Sequence, residues 1–278
     1  MDLSVVIPVK NEAGNIAPLV REIRAALDGF IGYEIIFIDD GSNDATAAEI
    51  RQLAAETPRL RLLRHTQSCG QSAAIRTGVR AARAAWVATM DGDGQNDPAD
   101  IPKLWRLRPA SSEVAPVLVN GNREKRQDGW SKRSASRIAN LIRGRLLGDN
   151  TPDTGCGLKL FPRALFLDLP YFDHMHRFLP ALILREGGRV HSVRVNHRPR
   201  RSGVSKYGVF DRLWIGIVDL FGVMWLKRRA GRPHLRDEPE PDADPAASPA
   251  LPSPALPSPA VHMPRWERKR EKWPRSTR

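Results

Sequence analysis

Asp91 and Asp93 stand one residue apart in Met90-Asp91-Gly92-Asp93-Gly94-Gln95-Asn96-Asp97-Pro98, directly after the apolar run Trp86-Val87-Ala88-Thr89-Met90. Asp91, Asp93 and Gln95 offer oxygens at alternate positions of a glycine-rich turn. That set suits Mg²⁺ or Mn²⁺ with positions left over for water and phosphate oxygens. Such a loop fits a nucleotide diphosphate. An EF-hand calcium loop is excluded, because its sixth and twelfth positions need Gly and Glu and here carry Asn96 and Pro102. A plain acidic turn draws on the same residue types for conformational reasons, so the loop alone leaves both readings open.

A second acidic turn, Asp39-Asp40-Gly41-Ser42, follows another apolar run, and Asn43 or Asp44 is placed to cap the helix after it. His174 and His176 flank Met175, but no carboxylate or cysteine stands at zinc-ligand spacing, so they read as structural histidines. Gly155-Cys156-Gly157, behind Asp153, is a further sharp turn.

These loops need elements to hold them. Apolar runs alternate with helical patterns: Leu3 to Ile7 then Ile16 to Leu27, Glu34 to Ile38 then Ala45 to Ala55, Leu60 to Arg64 then Ser72 to Arg83, then Trp86 to Met90. That βαβα rhythm predicts an α/β fold with a mostly parallel sheet between helices, whose ligands bind beyond the carboxyl ends of the strands. Both acidic turns fall at such ends and can face one crevice. Val117-Leu118-Val119 reads as one more strand, 120–133 as a mobile basic loop, and 134–147 as helix.

The apolar stretch Leu213 to Leu226 would extend roughly 20 Å as a helix, too short for a bilayer core about 30 Å thick. With Trp214, Trp225 and the terminal Lys227-Arg228-Arg229, it reads as a helix lying in a headgroup region, or else as one buried in the protein's own core. Dense proline after Gly231 predicts an extended, disordered tether with a basic tip, Arg265 to Arg270. Three regions follow: a catalytic domain at 1–209, an amphipathic helix at 210–231 and a tail at 232–278.

The 278 residues are 41% hydrophobic and 27% charged, as in a globular chain with a real core, and the formal net charge of +13 calls for an anionic partner. No helix-turn-helix, zinc-finger or aromatic RNA-binding motif supports nucleic acid as that partner. Cys69 and Cys156 supply neither a disulfide framework nor a Cys-based zinc site, and Met1 leads into Leu3 to Ile7 without a secretory signal, so the expected setting is a reducing cytoplasm.

Five motifs in order, Val5-Val6-Ile7-Pro8-Val9-Lys10-Asn11-Glu12, Asp39 to Asp44, Asp91-Gly92-Asp93-Gly94-Gln95, Asp153-Thr154-Gly155-Cys156-Gly157 and Arg200 to Tyr207, give residues 3–229 a resemblance to dolichol-phosphate mannose synthase-like glycosyltransferases. The resemblance implies the glycosyltransferase A fold, a nucleotide-sugar donor (GDP- or UDP-linked), Mg²⁺ or Mn²⁺, and a polyprenyl phosphate acceptor at the inner face of the cytoplasmic membrane. Carried over, Pro8 and Glu12 line the nucleotide pocket and Asp40 contacts base or ribose. Asp91, Asp93 and Gln95 hold the metal, and Arg123, Arg133 and Ser136 belong to the loop that closes over the diphosphate. Asp153 serves the sugar and acceptor side. Arg200 and Lys206, with Arg177 as a further contact, grip the acceptor phosphate, Arg as a fork and Lys as a point charge. Gly92 and Gly94 replace bulkier family residues, which implies a looser metal loop. A family 2 enzyme with a soluble or polysaccharide acceptor would keep the donor motifs without needing Arg200, Lys206 or the apolar helix. The sequence leaves a homodimer open.

Overall fold

The computed structural model describes residues 1–109, 116–123, 143–199 and 209–231, the last stretch with side chains from 216 onward. The first half follows the predicted rhythm: β1 (Leu3–Val9), α1 (Ile16–Leu27), β2 (Tyr33–Asp39), α2 (Thr46–Glu56), β3 (Leu60–Arg64), α3 (Gln71–Ala81) and β4 (Trp86–Thr89). A short α4 (Ile101–Arg106) leads toward β5 (Val117–Arg123); β6 (Lys159–Pro162), α5 (Arg163–Asp168), α6 (Leu179–Arg185), β7 (Arg189–Val195) and α7 (Val209–Arg228) follow.

Seven strands form one sheet in the order β3-β2-β1-β4-β6-β5-β7. The β3-β2-β1-β4 half is parallel throughout, whereas β6 runs antiparallel to both β4 and β5, and β5 pairs parallel with β7. Alternation divides the side chains between two cores. Leu3, Val5, Ile7 and Val9 of β1, with Ile35 and Phe37 of β2, pack with α1 and α4. Val6, Ile36 and Ile38 point the other way, toward α3, α5, α6 and Val223 of α7. A fully buried aliphatic side chain contributes about 1.5–3 kcal/mol of burial free energy, so these two faces hold the strand ends that carry the loops.

Strand β5 corrects one expectation. Residues 120–123, read from sequence as the start of a mobile loop, continue the strand because they pair in register with β7 from Asn120↔Ser192 to Arg123↔Val195. Most of the rest of that segment, with Arg133 and Ser136, lies outside the described residues, as do Arg200 and Lys206; helix is described again at 143–147. At the second acidic turn, α2 begins after Ala45 without a side-chain cap there, but Asp44 accepts from the backbone N–H of Thr46 at 3.0 Å.

Helix α7 combines the two readings made of it. Val223 is fully buried, and Leu220, Met224 and Leu226 pack beside it, while Val218, Phe221 and Trp225 are 54%, 64% and 59% exposed. Lys227 donates to the carbonyl of Leu147, Arg185 to that of Leu226 at 3.1 Å, and His174 pairs with Asp219 at 3.3 Å. Among the described residues, no helix is long and apolar enough to cross a membrane.

Candidate active site

Side chains from β1, β2, β4 and the turn before β6 meet beyond the carboxyl ends of the parallel strands. Pro8 lies near the end of β1, and the chain turns at Asn11 with φ 54°. Glu12 accepts from the Asn15 amide at 2.8 Å while its own N–H donates to Thr46 Oγ1 at 2.8 Å, which ties the end of β1 to the start of α2.

Asp40 follows β2 and is almost fully buried. One carboxylate oxygen meets His65 Nδ1 at 2.8 Å and the N–H of Cys69 at 2.7 Å; the other accepts from Ser68 Oγ at 2.7 Å and the N–H of Gly70 at 2.9 Å. Burial alone would raise its pKa, but these donors outweigh it and hold the carboxyl below its ordinary value. Asp40, His65 and Cys69 are the one group of three His, Cys, Asp or Glu side chains among the described residues close enough to share a metal ion. With the Asp40 oxygens already serving four partners, we read the trio as a hydrogen-bonded brace.

Asp91 follows β4. Its N–H donates to Asn96 Oδ1 at 2.9 Å, and its Oδ1 accepts from Gln71 Nε2 at 2.9 Å. Burial, then the charge of Asp93, pushes its pKa up to about 6. Its carboxylate lies over Gly157, where any Cβ would overlap it. Asp93 is buried and accepts from the N–H of Gln95 at 3.1 Å, and the carbonyl of Gln95 takes the N–H of Arg198 at 3.0 Å. The loop is not slack at Gly92: a Cβ there would strike Val9, so glycine is the residue that lets the acidic turn sit directly on β1. Two converging carboxylates, one driven toward its neutral form by burial and by the other, are a donor set that fits a hard dication with open positions.

Arg123 ends β5 and forms a two-point ion pair with Asp153, Nε to Oδ2 at 2.6 Å and Nη2 to Oδ1 at 2.8 Å. Burial works against its charge, but the Asp153 bonds and charge outweigh it and raise the guanidinium pKa further. Arg177 lies in the single turn Met175–Arg177. The neighbouring His176 meets Ser72 Oγ, in the first turn of α3, at 2.7 Å. Burial and then the charge of Arg177 push its pKa down to about 3, so it is a neutral structural histidine.

The structure thus gathers Pro8, Glu12, Asp40, Asp91, Asp93 and Gln95 at the ends of the parallel strands, and joins Arg123 to Asp153. Gln71, Asn120, Lys159 and the Ser72/His176 pair escaped the sequence reading. Their partners lie 20, 33, 39 and 104 residues away, and no local pattern announces such contacts.

Residues 4–169 match the profile of glycosyl transferase family 2. The chain belongs to that family. Its sequence is 37% identical over 238 residues to dodecaprenyl-phosphate galacturonate synthase of Rhizobium johnstonii, covering 84% of this chain and 69% of the relative. It is 33% identical over 210 residues to undecaprenyl-phosphate 4-deoxy-4-formamido-L-arabinose transferase of Edwardsiella ictaluri, covering 74% of this chain and 63% of the relative, somewhat less than two thirds of that protein's length. Glucosyl-3-phosphoglycerate synthase from Mycobacterium tuberculosis, crystallised with Mn²⁺, UDP-glucose and phosphoglyceric acid, shares the fold with a TM-score of 0.59 at 20% identity, over 81% of this chain and 79% of that one. This family 2 glycosyltransferase therefore has the glycosyltransferase A architecture expected from its motifs, with the mixed sheet described above.

Proposed function

We propose that this enzyme moves a sugar from a GDP- or UDP-linked donor to a polyprenyl phosphate, with inversion at the anomeric carbon, at the inner face of the cytoplasmic membrane. The observation that carries the reading is the pair Asp91 and Asp93 where the parallel strands end, the Asp91 carboxylate seated on the bare Gly157 and its pKa raised by burial and by the charge of Asp93. The two named relatives, a dodecaprenyl-phosphate galacturonate synthase and an undecaprenyl-phosphate sugar transferase by name, support the acceptor.

Asp91 and Asp93, with the Gln95 amide, would hold Mg²⁺ or Mn²⁺, which neutralises the charge of the departing nucleoside diphosphate. The chain's own residues do the rest. Pro8, Glu12 and the loop braced by Asp40 would shape the nucleotide pocket, and the role of meeting the diphosphate would fall to Arg123, Arg133 and Ser136. A phosphate oxygen of the acceptor is ionised near neutral pH, so it attacks without a strong base, and Arg200, Lys206 and Arg177 need only aim it. Asp153, fixed by Arg123, faces the sugar and acceptor side. The remaining gain comes from donors and charges placed before the reaction begins.

Helix α7 supports a peripheral position. Val218, Phe221 and Trp225 give it an exposed apolar face, and the exposed Arg228 and Arg229 close it with charge suited to anionic lipid.

The test is a transfer assay with undecaprenyl phosphate and a panel of UDP-glucose, UDP-galacturonate and GDP-mannose, each with Mn²⁺, Mg²⁺ or chelator. At least one sugar should transfer in a metal-dependent way, and Asp93→Ala should lower its rate ~10³-fold. No transfer from any donor, or full activity of Asp93→Ala, would sink the proposal. Sedimentation with phosphatidylglycerol vesicles tests the surface: Phe221→Ser/Trp225→Ser should release the protein, and undiminished binding would remove α7 from the account.

A further inference from the structure

Lys159 opens β6 and is 3% exposed, yet among the described residues no carboxylate lies within ion-pair distance of it. Its ammonium instead donates to three neutral oxygens: Asn120 Oδ1 at 2.6 Å, the carbonyl of Thr154 at 3.0 Å and that of Cys156 at 2.6 Å. Asn120 in turn donates to the carbonyl of Asp153 at 2.9 Å, and Thr89 Oγ1 to that of Gly157 at 2.8 Å. Four carbonyls of the Asp153–Gly157 turn are thus drawn toward side chains on β4, β5 and β6. No peptide here is cis, and a planar trans peptide sends its N–H opposite its carbonyl, so the same clamps fix which way the amides of Thr154, Gly155 and Gly157 face.

What this turn holds explains the expense. Asp153 stands at its head, paired with Arg123, and Gly157 at its foot is the surface on which the Asp91 carboxylate rests. A shift of about an ångström in the turn would move both groups at once. Burial pushes the Lys159 ammonium down to about 8, so the folded protein carries this charge at neutral pH against its own stability. A position needed only for packing would be served by an apolar side chain.

We propose that Lys159 is a positioning residue of the transfer reaction: its ammonium clamps the Asp153–Gly157 turn and thereby sets Asp153 and the Asp91 carboxylate in register. The inference rests on the glycosyl-transfer reading. It acts through the turn and touches no substrate.

The experiment compares the full-length wild type with Lys159→Met and Thr89→Val, measuring kcat, the KM for the nucleotide sugar at saturating Mn²⁺, and thermal unfolding. Lys159→Met should lose ~100-fold in kcat while the donor KM stays within about threefold and the protein remains folded. Thr89→Val removes one clamp isosterically and should lose ~10-fold in kcat, with an unchanged donor KM and an unfolding temperature lowered by no more than about 4 °C. If Lys159→Met does not fold, Thr89→Val decides alone. A folded Lys159→Met or a Thr89→Val with wild-type kcat overturns the inference, and so does a parallel loss of kcat, donor affinity and thermal stability in either variant, which marks general loosening. A wild type that transfers no sugar defeats the parent reading and takes this one with it; an active wild type beside an equally active variant defeats only this one.

Discussion

Asp40, which follows β2, and Asp153, in the turn before β6, are held by different means, although both halves of the sheet also pair charge with charge, as Arg61 with Glu34 at 2.8 Å and Arg64 with Asp39 at 2.9 Å do on the β3-β2-β1-β4 side. On the β3-β2-β1-β4 side, Asp40 is satisfied by four groups from one short stretch, His65 to Gly70, two of them backbone amides. On the β6-β5-β7 side, charge is held by charge or by distant groups: Arg123 with Asp153, Arg143 with Asp149 at 3.1 Å, and Lys159 among carbonyls from a turn and an amide from β5. The first arrangement is a local brace, completed as soon as its loop closes. In the second, the Arg123–Asp153 and Lys159–Asn120 contacts join residues 30 and 39 apart and need β5 brought beside the turn and β6. A loop braced the first way is fixed by its own short segment, whereas a turn held the second way depends on distant partners that a single substitution can unseat.

Asp91 sits where the halves meet, and the largest expected effect falls there. Gly157→Ala keeps an ordinary backbone conformation but puts a methyl group where the Asp91 carboxylate lies. Because the obstacle is the end of one side chain, Asp91 can swing aside and the fold should survive, with a change in stability under about 1 kcal/mol. Catalysis should not survive as well: a displaced metal-side carboxylate is expected to cost ~10³-fold in kcat, read in the same transfer assay. Activity near that of the wild type would show that Asp91 does not need its glycine seat.

The next effect separates brace from contact. Asp40→Asn replaces an acceptor of four bonds by an amide that cannot accept on its nitrogen, leaving buried donors such as the Gly70 N–H without a partner. The expected loss is about 2–3 kcal/mol of stability in urea unfolding, with weaker nucleotide binding as a consequence. Were Asp40 chiefly a nucleobase contact, nucleotide affinity would fall while the unfolding curve stayed in place.

This contrast also decides how much could be read before the fold was known. The β1 to β4 elements follow the predicted runs within a few residues, because a parallel strand buried on both faces and an amphipathic helix each write their period into a short window. Asp91 and Asp93 were legible for the same reason, being neighbours on a turn. Strand β6 is four residues long, and β7, Arg-Val-His-Ser-Val-Arg-Val, has mostly exposed or half-buried side chains at the sheet edge; neither carries a clear apolar signature. Lys159 looked like any lysine near a glycine turn. Its meaning comes from Asn120, brought beside it by the β5/β6 pairing.

The smallest effect concerns the stitch between the halves, where Ser72 of α3 meets His176. In the folded protein burial holds the His176 pKa down to about 3, while the unfolded chain takes up that proton near its ordinary 6.5. A group with a depressed folded pKa of this kind favours folding fully above about pH 6.5 and progressively less as pH falls toward 3, by up to ~1.4 kcal/mol per pH unit. Asp40, held below the ordinary carboxyl value of 3.8, loses its contribution only below that value, so the Asp40 brace holds through mild acid while the stitch weakens first. Urea unfolding at pH 7, 6 and 5 should therefore show a shallower decline for His176→Gln than for the wild type. Parallel declines would mean that His176 is protonated in the folded protein as readily as in the unfolded chain, and that the two halves are not joined through a neutral imidazole.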